Sequence, residues 1–552
     1  MGATQSTDKP IVHATSKGKL QGVQRIDDTT QKPVYNRFTR VPFALPPVGD
    51  RRWRRPQKLP ADFTFNGADG EAGDFTKFPF VCPQPRYGHG AAEMPNPNRV
   101  PDPENIFDED CLYVNIWVPP QSPPPGGWPV QFYIHGGWLQ MGEANHGNTH
   151  DPFYLMQDFP RVIVAPAYRL NLFGFMSFSG LQEDEPSHAP GNYGFWDQRA
   201  ALEWTHANIA EFGGNPDNIS LGGLSAGGYS SIFQLNYDVR LPNKSDRLIK
   251  RIYLYSNAVG VQPNPVSSPA LETQVDELLT ECGIPTSMSP REKVNRLRAV
   301  PSAKLIEAVH RMKQHTFRAG TDEDFVTSNF LADINSGELG RLLSEQDIEI
   351  MLGEVADEAT LYRMVNPASD YDSLVVQLNN YYPEKVTQAL LQHYNLPKEG
   401  ASQDDWADIG SIIIGDCQVH ATIRGFTASL LKTMPAERVY RYRISWRPKA
   451  LDDWLRPSVG MCHASDVPIW WACGRRLGYS QDDLQLVDEW LKVFYEYLCG
   501  KRPDWGVKEL NQVKEMKAEG EIKVVDDVNL AKGLDVWDVM LKAQLGDAYS
   551  RP

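Results

Sequence analysis

The chain has 552 residues, of which 41% are apolar and 11% aromatic, and its 55 basic and 70 acidic side chains leave a formal net charge of −15. That apolar content supports a large core and excludes a disordered chain. The acidic excess argues against nucleic acid or an anionic membrane as partner, because both repel it, and is compatible with a small neutral or cationic substrate.

No stretch approaches the roughly 18 consecutive apolar residues of a transmembrane helix. The N-terminal segment lacks the apolar run of a secretory signal, so a cytoplasmic location is expected. Residues 1–17 read as a flexible tail, and Met1-Gly2-Ala3-Thr4-Gln5-Ser6 fits the pattern for N-myristoylation at Gly2. The seven cysteines, Cys82, Cys111, Cys282, Cys417, Cys462, Cys473 and Cys499, are too sparse for a disulfide framework and lack zinc-ligand spacing. The sequons at Asn218 and Asn243 are expected to stay unused without secretion.

In chain order, residues 1–60 read as short extended pieces broken by Gly and Pro. Residues 82–108, rich in Pro and Asn, read as a long surface loop, a feature that is often functional in a compact domain. An alternation follows. Strands are expected at 112–118, 129–134 and 162–168, a helix at 197–212, and a short strand at 219–223. Residues 268–345 are helical in pattern and read as an insertion over one edge of the sheet. Later strands are expected at 348–352 and 439–443, and closing helices at 484–498 and 535–543. Strands alternating with helices imply an α/β fold with a mostly parallel sheet covered on both faces. At about 150 residues per domain the length alone would suggest three or four domains, yet no linker, repeat or low-complexity segment interrupts the pattern.

Gly223-Leu224-Ser225-Ala226-Gly227 is a G-x-S-x-G sequence placed between the strand at 219–223 and a small-residue run that opens a helix. A serine on such a strained turn needs neighbours without bulk, and the helix start offers backbone N–H groups to a developing oxyanion. The segment from Phe212 to Gly227 resembles the active-serine signature of the type-B carboxylesterases, the cholinesterase-like α/β-hydrolases. Glu109-Asp110-Cys111-Leu112-Tyr113-Val114-Asn115-Ile116-Trp117-Val118-Pro119 is similar to that family's second signature. Blocks at 41–49 and 191–199 are similar too, and the likeness runs from about Gly18 to beyond Trp490. It implies an α/β-hydrolase fold with a helical insertion over the active site. It also implies one domain over residues 1–552, overriding the length estimate, and no metal or organic cofactor.

The resemblance extends to the other site residues. His135-Gly136-Gly137-Trp138 is similar to the family's oxyanion loop, with Trp138 where the family has a third Gly; the implied donors are the backbone N–H groups of Gly137, Trp138 and Ala226. Gly460-Met461-Cys462-His463 is similar to the family's histidine segment, and Gly353-Glu354-Val355-Ala356-Asp357-Glu358 to its acidic loop. This implies Ser225 as nucleophile, His463 as base and Glu358 as the acid that orients it, in the order Ser, acid, His. Asp357 and Glu354 are the local competitors and read as solvated loop charges. Cys82 and Cys111 match the family's first disulfide pair, whereas a cytoplasmic setting implies free thiols; both readings stay open.

Two departures bear on substrate. Leu224 stands where many family members carry Glu, and residues 83–110 contain no Trp to stack on a quaternary ammonium. Tyr87 is the aromatic that could stand in. With Trp138, Leu139 and Leu224 expected in one apolar pocket, the sequence points to a serine carboxylic ester hydrolase acting through an acyl-enzyme on neutral, apolar esters. An acyltransferase or lactone-forming enzyme using the same triad is the alternative. A lipase with the 82–111 loop as lid, or a binding homologue without activity, ranks lower. The expected partner is a small ester, with no nucleic acid; the oligomeric state is not legible.

Overall fold

The computed structural model describes residues 6–85, 106–145, 150–398, 400–453 and 455–549. The apolar runs broken by Gly and Pro become strands: β1 (Ser6–Thr15), β2 (Gly18–Asp27), β3 (Pro33–Pro42), β4 (Gly73–Asp74), β5 (Tyr113–Val118), β6 (Trp128–Ile134), β7 (Val162–Pro166), β8 (Gly214–Leu224), β9 (Arg251–Tyr255), β10 (Glu349–Val355), β11 (Val439–Ile444), β12 (Gln512–Met516) and β13 (Ile522–Asp526). Among the described residues they form one 13-stranded sheet in the order β1-β2-β3-β5-β7-β6-β8-β9-β10-β11-β12-β13, with β4 beside β2. The central pairs from β7 to β12 are parallel. Antiparallel pairs flank them at both edges.

Parallel neighbours need crossovers, and helices supply them. Helix α1 (Tyr193–Asn208) precedes β8, and α2 (Ala226–Arg240) leads from β8 towards β9. Helices α3 (Pro269–Glu281), α4 (Pro290–Ala299) and α5 (Ser302–Val309) lie between β9 and β10. A second helical set, α6 (Ala359–Val365), α7 (Tyr371–Tyr381), α8 (Glu384–His393), α9 (Gln403–Gly415) and α10 (Ala421–Leu431), separates β10 from β11. Helices α11 (Gln481–Leu498) and α12 (Leu530–Leu545) come last. No helix among the described residues is long and apolar enough to cross a membrane.

Both faces of the sheet are buried, which is why its strands read as near-continuous apolar runs. Phe132, Ile134, Ile252, Leu254, Ile350 and Leu352 pack into one apolar cluster, while Tyr133, Tyr253, Tyr255 and Met351 between them face the other. This is the period of two that a strand imposes on its side chains. A third cluster joins α7, α8, α9 and α12 through Leu374, Leu378, Val386, Leu390, Trp406, Ile413 and Met540.

The expected flexible tail is corrected over Ser6–Thr15. That segment is β1, paired with β2 from Ser6↔Asp27 to Thr15↔Gly18. The reason is a weak alternation: Ile11 packs against the core, and His13 stacks on Phe212 with ring centroids 5.0 Å apart. Gly2 and Tyr87 lie outside the described residues, as does most of the loop read at 82–108. Cys82 and Cys111 meet as buried free thiols with no bond between the sulfurs. A hydrogen bond with Cys82, together with burial, pushes the Cys111 thiol well above its ordinary value.

Candidate active site

Strand β8 ends at Leu224 and helix α2 begins at Ala226, so Ser225 alone makes the turn between them. Its φ of 55° and ψ of −121° are strained for a residue with a side chain, at a cost on the order of 1–3 kcal/mol. The surroundings impose them. Ser225 N donates to Tyr255 O of β9 at 2.7 Å, and Ser225 O accepts from Tyr229 N at 3.0 Å. The glycines two positions away on either side are explained by β6: a Cβ on Gly223 or on Gly227 would sit 2.0 Å from the carbonyl oxygen of Ile134.

Glu358 lies between β10 and α6 and is fully buried. Its Oε1 accepts from Val355 N at 2.8 Å, and its Oε2 accepts from His463 Nδ1 at 2.5 Å. His463 and Ser225 line one cavity of about 370 Å³ together with Gly136, Gly137 and Trp138.

The two competing acids have other partners. Asp357 accepts from Ala359 N at 3.1 Å and Thr360 N at 3.0 Å at the start of α6. Glu354 is corrected from a solvated loop charge to a strand residue 1% exposed. Arg424 lies 2.8 Å from it and His420 2.7 Å. Burial pushes the Glu354 carboxyl up, but those two charges hold it well below the usual carboxylate range. The same pairing raises His420, against its own burial.

The loop after β6 takes a conformation usually left to glycine. Gly137 has φ 110°, Trp138 φ 57° and Leu139 φ 66°. Side chains from distant segments hold it. Gln140 Nε2 donates to Phe317 O at 2.6 Å, and Gln140 Oε1 accepts from Phe317 N at 3.0 Å. Asn171 N donates to Leu139 O at 2.7 Å, and Asn171 Nδ2 to Gln140 O at 3.1 Å. Among the described residues, the N–H groups of Gly137, Trp138 and Ala226 are not taken up by the surrounding turns. The Trp138 ring meets Tyr362 edge-on at 6.3 Å, and Tyr362 lies 5.6 Å from the His463 ring.

A second cavity of about 340 Å³ also reaches Ser225 and Trp138. Leu139 lines this one and Leu224 lines the first, so the single apolar pocket expected around both is two cavities meeting at Ser225. The two leucines belong to the apolar clusters on opposite faces of the sheet, which is why they part.

The first cavity is electrostatically quiet on its imidazole side. Burial pushes His135 down to about 4, against a hydrogen bond that its Nδ1 donates to the Gly136 carbonyl, and His150 down to about 3. Asp466, three residues after His463, is fully buried and donated to by Trp470 Nε1 at 2.8 Å. Burial pushes its carboxyl up to about 6. Gln140, Tyr362, Asp466 and the residues of α7 and α8 that wall the second cavity were not singled out from the sequence. Each depends on contacts between segments far apart in the chain, and no local pattern marks them.

A mostly parallel sheet with helices on both faces, and a serine alone on the turn between its central strand and the next helix, define the α/β-hydrolase class. The model of the carboxylesterase family matches residues 8–526, and the chain belongs to that family. It is 39% identical to an uncharacterised esterase/lipase of Schizosaccharomyces pombe, over 94% of each chain. It is 35% identical to a carboxylic ester hydrolase of Gibberella moniliformis, over 98% of each chain. A shorter match, 38% identical over 40% of this chain and 32% of the relative, is to acetylcholinesterase of Danio rerio. The protein is a carboxylic ester hydrolase.

Proposed function

We propose that this hydrolase works through an acyl-enzyme on Ser225 and takes esters that are uncharged and apolar around the scissile bond. In this reading His463 Nε2 removes the Ser225 proton as Oγ attacks the carbonyl. Glu358 keeps the imidazole proton on Nδ1 and stabilises the imidazolium. The N–H groups of Gly137, Trp138 and Ala226 stabilise the tetrahedral oxyanion. His463 then hands its proton to the departing alcohol, and the same steps with water release the acid. The observation that carries the reading is the 2.5 Å contact between a fully buried Glu358 carboxylate and Nδ1 of His463, which lines the same cavity as Ser225. Residues 1–552 act here as one domain, supported by the single sheet that runs from Ser6 to Asp526.

Selection against cations is supported by Leu224, 8% exposed, where a carboxylate would face the first cavity. The carboxylate that does line that cavity among the described residues, Glu143, is exposed. Residues 83–110 carry no Trp, and the desolvated cation–π contact that one would supply is worth about 2 kcal/mol, or roughly thirtyfold, more than attraction by the net charge, which is screened within about 8 Å at physiological salt. The test is kcat/KM for 4-nitrophenyl esters of increasing acyl length, and for butyrylcholine against its neutral 3,3-dimethylbutyl isostere. Turnover of the neutral esters with the choline ester at least tenfold poorer is expected. A choline ester equal to its neutral partner would overturn the selectivity, and no turnover of any ester would overturn the mechanism.

A further inference from the structure

Arg318 has no acid. Most buried arginines of this chain are paired: Arg52 with Glu109, Arg169 with Asp197, Arg199 with Asp238, and Arg424 with Glu354. Arg161 is an exception packed in the core against Phe494 and Tyr495. Arg318 is half-buried and lines the cavity that reaches Ser225. Its Nε donates to Asn380 O at 2.6 Å, and its guanidinium lies 4.6 Å from the centre of the Tyr381 ring. Those contacts fix the plane of the group. Its Nη2 is shut off from solvent and has no acceptor among the described residues. A buried donor on a charged group left without a partner is costly, and a side-chain shift that opens Nη2 to the cavity lets a ligand's acceptor recover that cost.

The other charges at the cavity do not satisfy it. Glu277 is taken up by Lys313 N at 2.6 Å and Gln314 N at 3.3 Å. Glu384 is exposed and accepts from Gln388 at 3.2 Å. Neither pairs with Arg318. Arg318 is the positive charge among the described residues lining the cavity, beside the carboxylates of Glu277 and Glu384; burial raises the hydroxyls of Tyr229 and Tyr381, and the charge that opposes it at both is Arg318.

We propose that Arg318 is a specificity residue that pairs with a carboxylate carried by the part of the substrate filling this cavity, so that preferred substrates are esters with a free carboxylate several bonds from the scissile carbonyl. The inference rests on the serine-esterase reading above and adds one remote charge to the substrate described there. It agrees with selection against cations, which Arg318 repels. The guanidinium suits a carboxylate through its charge and its unpartnered Nη2. A cavity of about 340 Å³ also leaves room for a chain of several atoms between the two ends of such a molecule.

The test uses two matched pairs of chromogenic esters and the whole protein. One pair places the charge on the acyl side: the mono-4-nitrophenyl ester of glutaric acid against the same molecule with its free acid methylated. The other places it on the alcohol side: the butyrate of 4-hydroxybenzoic acid against that of its methyl ester. In one pair the carboxylate member is expected to have the higher kcat/KM, and that pair assigns the cavity to the acyl or the alcohol side. Arg318→Gln is expected to lower the charged-to-neutral ratio in that pair roughly 10- to 100-fold, mainly through KM, the worth of one charge-assisted hydrogen bond. Arg318→Lys should restore part of it. A merely structural role for Arg318 would lower both members alike, and equal loss on both would overturn the proposal. So would a wild-type preference for the methylated member in both pairs. Turnover of the neutral members by wild type, lost in Ser225→Ala, keeps the esterase reading separate from that outcome.

Discussion

Replacing Glu358 by Gln is isosteric, yet the structure gives the amide nowhere good to point. The carboxylate accepts two hydrogen bonds, from Val355 N at 2.8 Å and from His463 Nδ1 at 2.5 Å. An amide has one acceptor oxygen. If its NH₂ faces Val355, two donors are pressed together in a site closed to water. If its NH₂ faces His463, the imidazole must carry its proton on Nε2, the atom that has to accept from Ser225. The second arrangement is the catalytically inert tautomer, and it also removes the charge that stabilises the imidazolium. The expected loss in kcat is on the order of 10⁴, about 5 kcal/mol of barrier at roughly 1.4 kcal/mol per tenfold. The neighbouring acids serve as controls with different signatures. Asp357→Asn keeps an acceptor for the N–H groups of α6, so it should cost about 1 kcal/mol of stability and leave kcat within about threefold. Glu354→Gln removes the charge shared by Arg424 and His420 while Arg424 keeps Asp527, and should cost about 1–3 kcal/mol of stability. Steady-state kcat on 4-nitrophenyl butyrate, with urea unfolding of each variant, separates the three. A larger loss of kcat in folded Asp357→Asn than in Glu358→Gln refutes the reasoning.

Other predictions follow from packing and protonation. Gly227→Ala puts a methyl group 2.0 Å from Ile134 O, a contact no rotamer relieves, so the variant should be recovered insoluble or without activity; a wild-type melting temperature together with wild-type kcat would contradict that geometry. Asp466 is pushed up to about 6 by burial, with the Glu358 charge adding and Trp470 and His463 opposing, from an ordinary value of 3.8. Stability owed to a carboxyl that protonates more readily when folded is complete below the unfolded value and lost as pH rises through the folded one. Asp466→Asn, which keeps an acceptor for Trp470, should therefore melt above wild type at pH 8 and lose that advantage by pH 4. A difference in melting temperature independent of pH would show that Asp466 does not titrate in this way.

Much of the sheet could be read in advance because the signals are local. The strands containing Val114, Phe132, Ile163 and Leu221 carry near-continuous apolar runs, and the Gly-x-Ser-x-Gly turn depends on five adjacent residues. Glu358 and His463 could be named from their segments, although what joins them is a bond across 105 positions of chain. What escaped the sequence is what depends on distance. Strand β1 is nearly all exposed, and its half-buried Ile11 and His13 are too faint a pattern against a polar background. Glu354 read as a loop charge because its partner Arg424 stands 70 positions away. The loop at Trp138 departs from the family's glycine, and its shape is kept by Gln140 reaching Phe317, 177 positions on. The helices from Ala359 to Leu431 carry no comparable local signal, and residues such as Asn380 and Tyr381 of α7 wall the second cavity.

The central claim is that Ser225 carries the acyl group. It is tested most directly by treating the protein with a fluorophosphonate, then measuring intact mass and mapping the modified peptide. One adduct per chain is expected, on the peptide containing Ser225, with loss of esterase activity in proportion to labelling, and Ser225→Ala should take up no label and turn over no ester. An adduct on another residue, or ester turnover that survives in folded Ser225→Ala, would contradict the account.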